Sequence, residues 1–408
     1  MTMLDRLFPK TPHTPTPRGL ATSGPALLSY GFRPFFLGAG VWAVLAMGLW
    51  IGALAAGWPI GGSYGAANWH AHEMLFGYAT AALGGFMLTA IPNWTGRLPV
   101  SGPPLLVLVV LWLAGRLALL APDIAGPTAS AVIDALFLPG LAFVAGREIF
   151  AGRNWKNLKI LAALLALSLA NIGFHVSVLA GLDSGYAYRA ALGVFVMLIA
   201  LVGGRIVPSF TRNWLARAKR KLPAPFDGVD RLALGISGGA LAAWVIWPEH
   251  SVVALLCALA ALAQGWRLWR WQGWGARDDM LVAILHLGYG FIPLGLAGLA
   301  VAALGGLSLV AALHLLTVGA IGCMTLAVMS RATLGHTGRP LHASRLTVVA
   351  YAALILAALA RPLAEKVDGF YMEMLSLSGA LWIAAFVLFI AEYGPMLVSP
   401  RVDAGRRG

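Results

Sequence analysis

The chain has 408 residues, 59% of them hydrophobic and only 11% charged, with a mean hydropathy of +0.80. A soluble domain carries about a quarter charged residues, so this depletion excludes an ordinary soluble fold and points to an integral membrane protein of many helices. The net charge of +13 would suit a nucleic-acid partner, but the basic residues recur in short clusters between apolar spans, which is a topogenic pattern. No nucleic-acid role is expected. Cys257 and Cys323 are the only cysteines. The chain has no C-x-x-C-H for covalent haem and no cysteine cluster for zinc or iron–sulfur chemistry.

In chain order, residues 1–30 hold the Pro-rich TPHTPTPRG and no central apolar stretch. They read as a cytoplasmic tail rather than a cleavable signal. An all-α polytopic domain is expected over 31–396, followed by a second cytoplasmic tail over 397–408. A bilayer-crossing helix needs roughly 20 apolar residues. Twelve such spans are expected, at 35–57, 69–92, 103–121, 129–150, 158–181, 187–209, 231–248, 250–269, 279–303, 307–331, 344–363 and 371–394. Only WPEHS separates the seventh from the eighth.

With these spans, all but Arg116, Arg189, Arg361 and Lys366 of the 29 Lys and Arg residues fall on one side. The positive-inside rule makes that side, and both tails, cytoplasmic. A weak internal echo accompanies the alternation. IPNWTGR, VPSFTRN and LGHTGR lie at or just past the inner ends of spans 2, 6 and 10, with Thr95, Thr211 and Thr337 four spans apart each time. This suggests three blocks of four helices with spans 2, 6 and 10 as equivalent inner helices. Interfacial helix ends that recruit Pro, Thr and Arg independently would produce the same likeness.

Ionisable groups inside spans are expensive and commonly line a site. His70, His72, His175 and His314 fall at one level, the outer third, on spans 2, 5 and 10, while His286 lies deeper in span 9. A single intramembrane histidine is more often a packing residue; four at one depth suggest a cofactor, since neutral imidazole is the commonest metal ligand. With few carboxylates and no cysteine cluster, haem iron or copper is favoured over zinc or manganese. Residues two apart on a helix point about 200° apart, so His70 and His72 cannot serve one centre. Met74, Gly77, Ala81 and Gly84 continue the His70 face, either as close helix packing or as room for a flat ring. Glu73 is a candidate proton carrier, a partner fixing a histidine tautomer, or a group meeting water. Asp134, Asn171 and Glu373 suit either a proton path or interhelical hydrogen bonding.

The stretches GFRPFFLGAG (31–40), WHAHEMLFGYATAALGGFMLTAIPNWTGR (69–97), GGRIVPSFTRNWL (203–215), LHLGYGFIPLGL (285–296) and HLLTVGAIGCMTLAVMSRATLGHTGRPL (314–341) resemble the NnrS family of bacterial inner-membrane proteins. The resemblance runs through most of the chain. It implies a twelve-helix protein with haem b and copper, tied to the nitric oxide response and nitrosative stress. A more distant likeness, in His72-Glu-Met-Leu-Phe, is to haem–copper oxidases and nitric-oxide reductases. Carried over, it makes His72 and His314 the axial haem pair, with His70, His175 or His286 left for a second metal. Spans 6 and 7 lack the histidines of an oxidase-type binuclear centre. The expected partners are lipid, nitric oxide and a quinol or other membrane electron donor. Turnover of nitric oxide, non-enzymatic sensing or sequestration, and a metal-free transporter remain the three readings to separate.

Overall fold

The computed structural model describes residues 24–367 and 369–402. The expected tail segments 1–23 and 403–408 lie outside the described residues; Ala26–Leu28 forms a short 3-10 turn. The described elements are all helical. Twelve helices are long and apolar enough to cross a bilayer: α1 (Phe32–Ala56), α2 (Ala66–Thr95), α3 (Pro103–Leu120), α4 (Pro127–Ala151), α5 (Trp155–Leu179), α6 (Gly185–Arg217), α7 (Gly228–Ile246), α8 (Ser251–Arg270), α9 (Met280–Ala303), α10 (Leu309–His336), α11 (Arg345–Leu363) and α12 (Tyr371–Val398). They match the twelve expected spans. Helices α6 and α10 run beyond the apolar sequence because their continuing inner faces still bury Thr211 and Leu215, and Thr333 and Leu334.

Both described chain ends meet on one side of the bundle, called here the terminal end. The guanidinium of Arg33, in the first turn of α1, donates to the carbonyls of Met396, Leu397 and Ser399 at 3.2, 2.9 and 2.6 Å. These carbonyls at the end of α12 have no helical partner of their own, and a cation there also suits the helix dipole. An even number of crossings follows.

Helices α2 and α10 are the most enclosed, with 78% and 61% of their apolar windows buried; α6 and α9 follow at 56%. Each of α2, α6 and α10 contains one π-helical stretch, at Glu73–Ala79, Ile199–Gly203 and Leu315–Gly322. The register that aligns Thr95 with Thr337 also aligns Glu73 with Leu315, the first residues of the π stretches in α2 and α10. A π turn widens the helix and disturbs its carbonyl pairing, and such turns recur at functional sites. Side chains from neighbours reach the widened turns. Trp112 Nε1 donates to Gly77 O at 2.9 Å, and Arg267 Nη1 donates to Ala200 O at 2.7 Å.

Arg267 is wholly buried and joins four helices. Besides Ala200 of α6, it donates to Asp230 Oδ1 of α7 at 2.8 Å and to Tyr289 Oη of α9 at 2.8 Å. At the head of α7, Asp227 caps the helix by accepting from Val229 N at 2.9 Å. Donation from Arg270 holds the Asp227 carboxyl down at about 2. Deleting one partner of a buried ion pair costs about 3–5 kcal/mol, because the other charge stays behind. Arg267→Met should therefore lower thermal stability in detergent by about that amount. An unchanged unfolding transition would show that the Arg267–Asp230 pair is not a structural tie.

Candidate functional site

Helix α2 begins with His70 and His72 in its first two turns, and its geometry sends them to opposite sides. His72 is 1% exposed and faces α4 and α5. Its Nδ1 lies 2.9 Å from Glu73 Oε1, and its Nε2 lies 2.9 Å from Asn171 Oδ1 and 3.2 Å from Asp134 Oδ2. Asp134 also meets His175 Nε2 at 2.9 Å, and His175 Nδ1 meets Tyr64 Oη at 2.8 Å. Arg116 of α3 closes the group by donating to both Glu73 and Asp134. A Cβ on Gly77 would lie 2.5–2.8 Å from Arg116 Nη1, Trp42 Nε1 and Glu73 Oε2, so only glycine lets the guanidinium approach so closely.

The charges in this cluster do not balance by themselves. Glu73 and Asp134 contribute two negative charges and Arg116 one positive charge, all fully enclosed. Both nitrogens of His72 face acceptor oxygens, so hydrogen bonding alone needs a proton on each. A cation supplies the alternative. One donor atom from each of His72, Asp134 and His175 can be chosen so that all lie within 4.8 Å of one another, and this group can hold a metal ion. Ligation through Nε2 would leave His72 Nδ1–H for Glu73 and His175 Nδ1–H for Tyr64, the outer hydrogen bonds that orient metal-bound imidazoles. Two imidazoles and a carboxylate suit copper(II), zinc or iron(II).

His70 faces the other way, into a cavity of about 560 Å³ between α1, α2, α6, α10, α11 and α12. His314, Arg361, Trp50, Tyr78 and Trp382 share its lining. The His70 ring stacks on Trp50, with centroids 4.4 Å apart and planes within 12°. Its Nδ1 is buried without a hydrogen-bond partner. His314 Nδ1 donates to Val310 O at 2.7 Å, which fixes the tautomer and leaves Nε2 with its lone pair. Arg361 is 6% exposed; its Nη1 lies 3.7 Å from Glu365 Oε1 one turn on, beyond hydrogen-bond reach, and has no hydrogen-bond partner. Leaving such buried groups unpaired costs about 1–3 kcal/mol, more for charged ones, and calls for an explanation. An aromatic-walled cavity with two imidazoles and a cation at its edge fits a flat, apolar ligand that carries acidic groups, as haem does.

The structure thus groups the expected residues differently from the sequence reading. His70 and His314 share the cavity, whereas His72 is turned away from it with His175. The expected His72–His314 pair does not form, because Asp134, Asn171 and Glu73 hold the His72 ring on the opposite face. His286 joins neither group; its Nε2 meets Thr211 Oγ1 at 2.7 Å near the terminal end. Glu73 lies beside His72 and not in the cavity lining. The Gly77 end of the expected small-residue face also turns toward Arg116, because the π stretch shifts the helical phase. Glu373 is exposed. Arg116, Arg361, Tyr64 and Trp50 were not anticipated as site residues. The two arginines carried a signal, because both break the one-sided distribution of basic residues.

Residues 26–401 match the family described as NnrS protein, and the chain belongs to that family. No curated protein matches it. Family membership connects the chain with the nitric oxide response.

Within the cluster, Arg116→Gln removes the one guanidinium that answers two buried carboxylates, and should destabilise the protein by about 3–5 kcal/mol. Adding Asp134→Asn removes the stranded charge and should restore a large part of that loss. Thermal unfolding of the purified variants measures both. An Arg116→Gln protein as stable as the parent would contradict the charge account.

Proposed function

We propose that this NnrS-family protein binds nitric oxide at a haem seated in the cavity lined by His70, His314 and Arg361, with copper at the His72–Asp134–His175 group. The observation that carries the reading is the convergence of His70, His314 and Arg361 on one amphipathic cavity, with His70 Nδ1 and Arg361 Nη1 both short of a hydrogen bond. His70 and His314 would hold the iron, one of them giving up its place when nitric oxide binds, and Arg361 would meet the acidic side groups. Haem iron, when bound, supplies a centre that takes up diatomic gases and exchanges single electrons.

The surrounding residues have defined tasks in this reading. Trp50 holds the His70 ring in plane, and Val310 O keeps the His314 proton on Nδ1. Tyr78 is anchored through Thr325 Oγ1 at 2.5 Å, and Trp382 through Ala43 O at 3.0 Å, so the cavity walls are fixed before any ligand enters. On the other face, Glu73 and Tyr64 orient the two imidazoles of the copper group. Nitric oxide is neutral and apolar enough to reach this depth through the bilayer without a charged path. The transporter alternative has less support, since the inner helices recur every four spans rather than in two six-helix halves. Consumption of nitric oxide in the presence of a reductant separates turnover from sensing.

His70→Ala and His314→Ala should each remove or alter the haem absorption spectrum of the purified protein. His72→Ala should keep the haem spectrum and lose copper in metal analysis. Loss of haem on His72→Ala with its retention on His70→Ala would sink the assignment.

The terminal end is proposed to be cytoplasmic in the bacterial inner membrane, on the strength of the basic-residue distribution. Three of the four exceptions, Arg116, Arg189 and Arg361, are buried and hence outside the loop charges that set orientation. Reporter fusions after Gly61 and after Lys221 should report periplasm and cytoplasm respectively. The same side for both would refute the crossing pattern.

A further inference from the structure

A second large cavity, of about 430 Å³, opens between α2, α6 and α10 toward the terminal end. Its lining repeats the internal echo residue by residue. The register that aligns Thr95, Thr211 and Thr337 brings Thr89, Arg205 and Arg331 to one level, and Trp94, Phe210 and His336 to the next. All six line this cavity. Most of its lining comes from the three inner helices, and it opens to the surface at Asn93, Arg205, Gly335 and Leu341.

Its chemistry is lopsided. Arg205 and Arg331 lie on the lining, no carboxylate does, and neither arginine makes an ion pair within 4 Å among the described residues. Arg331 is held with its guanidinium 4.0 Å from the centroid of the Phe210 ring, and its Nη1 is buried without a hydrogen-bond partner. Arg205 is exposed and Arg331 partly buried; two cations on one wall with no carboxylate beside them attract an anion. The rest of the lining is apolar. Through Phe86, Val202, Ile206 and Val328 the cavity shares walls with a narrower, almost wholly apolar gap of about 90 Å³ that runs toward mid-membrane. A small hydrated anion would leave those walls without a partner, whereas a lipid headgroup with the first methylenes of one acyl chain suits both parts. The depth agrees, because the arginines sit near the inner ends of the apolar spans 187–209 and 307–331, where headgroups lie.

We propose that this cavity binds an anionic phospholipid, with its phosphate between Arg205 and Arg331 and the first methylenes of one acyl chain in the apolar gap. The site lies toward the opposite end of α2 from His70, so it stands or falls independently of the haem reading.

The test is native mass spectrometry of the full-length protein, delipidated in detergent and then offered phosphatidylglycerol, phosphatidylcholine or inorganic phosphate. Phosphatidylglycerol should be retained at least about tenfold more strongly than phosphatidylcholine, a difference of ~1.4 kcal/mol. Arg205→Gln/Arg331→Gln should erase that preference, Arg331→Lys should keep most of it, and Arg277→Gln, at a highly exposed position, should change nothing. Equal retention of the two lipids by the parent protein would overturn the proposal, whether or not the double variant folds. Undiminished preference in the folded double variant would also overturn it. Displacement of phosphatidylglycerol by millimolar inorganic phosphate would reduce the site to an ordinary anion site and refute the acyl-chain part.

Discussion

A charge in hydrocarbon is tolerable only when another charge answers it. Arg116 supplies that answer in this protein, donating to Glu73 on α2 and Asp134 on α4 from its own place on α3. Because the three charged groups have no water to turn to, their directions are dictated by one another. Asp134 then draws in His175 and Asn171 from α5, and Asn171 and Glu73 between them fix both nitrogens of His72. Helices α2 to α5 are locked around this cluster, and the lock determines which way α2 is rotated.

That rotation separates two chemistries. With His72 committed to the cluster, His70 must look toward α10 and α11, where His314 and Arg361 complete a cavity of different character. One face of the helix is polar, tightly hydrogen-bonded and sized for a single ion. The other is aromatic, roomy and short of hydrogen-bond partners. The π stretch that begins at Glu73 lies immediately below both histidines and admits Arg116 at Gly77. Its counterpart in α10 begins just after His314. The two helices that present histidines to the cavity therefore share the same local device.

Much of this was legible in the residues. Apolar runs of bilayer length gave all twelve helices, because hydropathy and helix length are direct consequences of the solvent. The opposite facing of His70 and His72 followed from helical geometry alone. Which histidine faced which neighbour was not legible. That depended on Asp134 and Asn171, each unremarkable singly, converging from two other helices, and on a π turn that no periodicity reveals. The likeness to haem–copper oxidases in His72-Glu-Met-Leu-Phe pointed to the wrong member of the pair for this cavity. A better clue lay in the charge pattern. Of the four basic residues on the sparsely charged side, Arg116, Arg189 and Arg361 are buried, and only Lys366 is exposed. A basic residue that defies the topogenic rule is a candidate for an internal partner.

The central claim is that the two histidines at the start of α2 serve two separate centres. The most direct measurement is an experimental density map of the protein purified with its native cofactors. The account predicts planar density in the cavity lined by His70, His314 and Arg361, and a separate compact peak among His72, Asp134 and His175. Planar density reaching His72, or a single centre shared by His70 and His72, would contradict it.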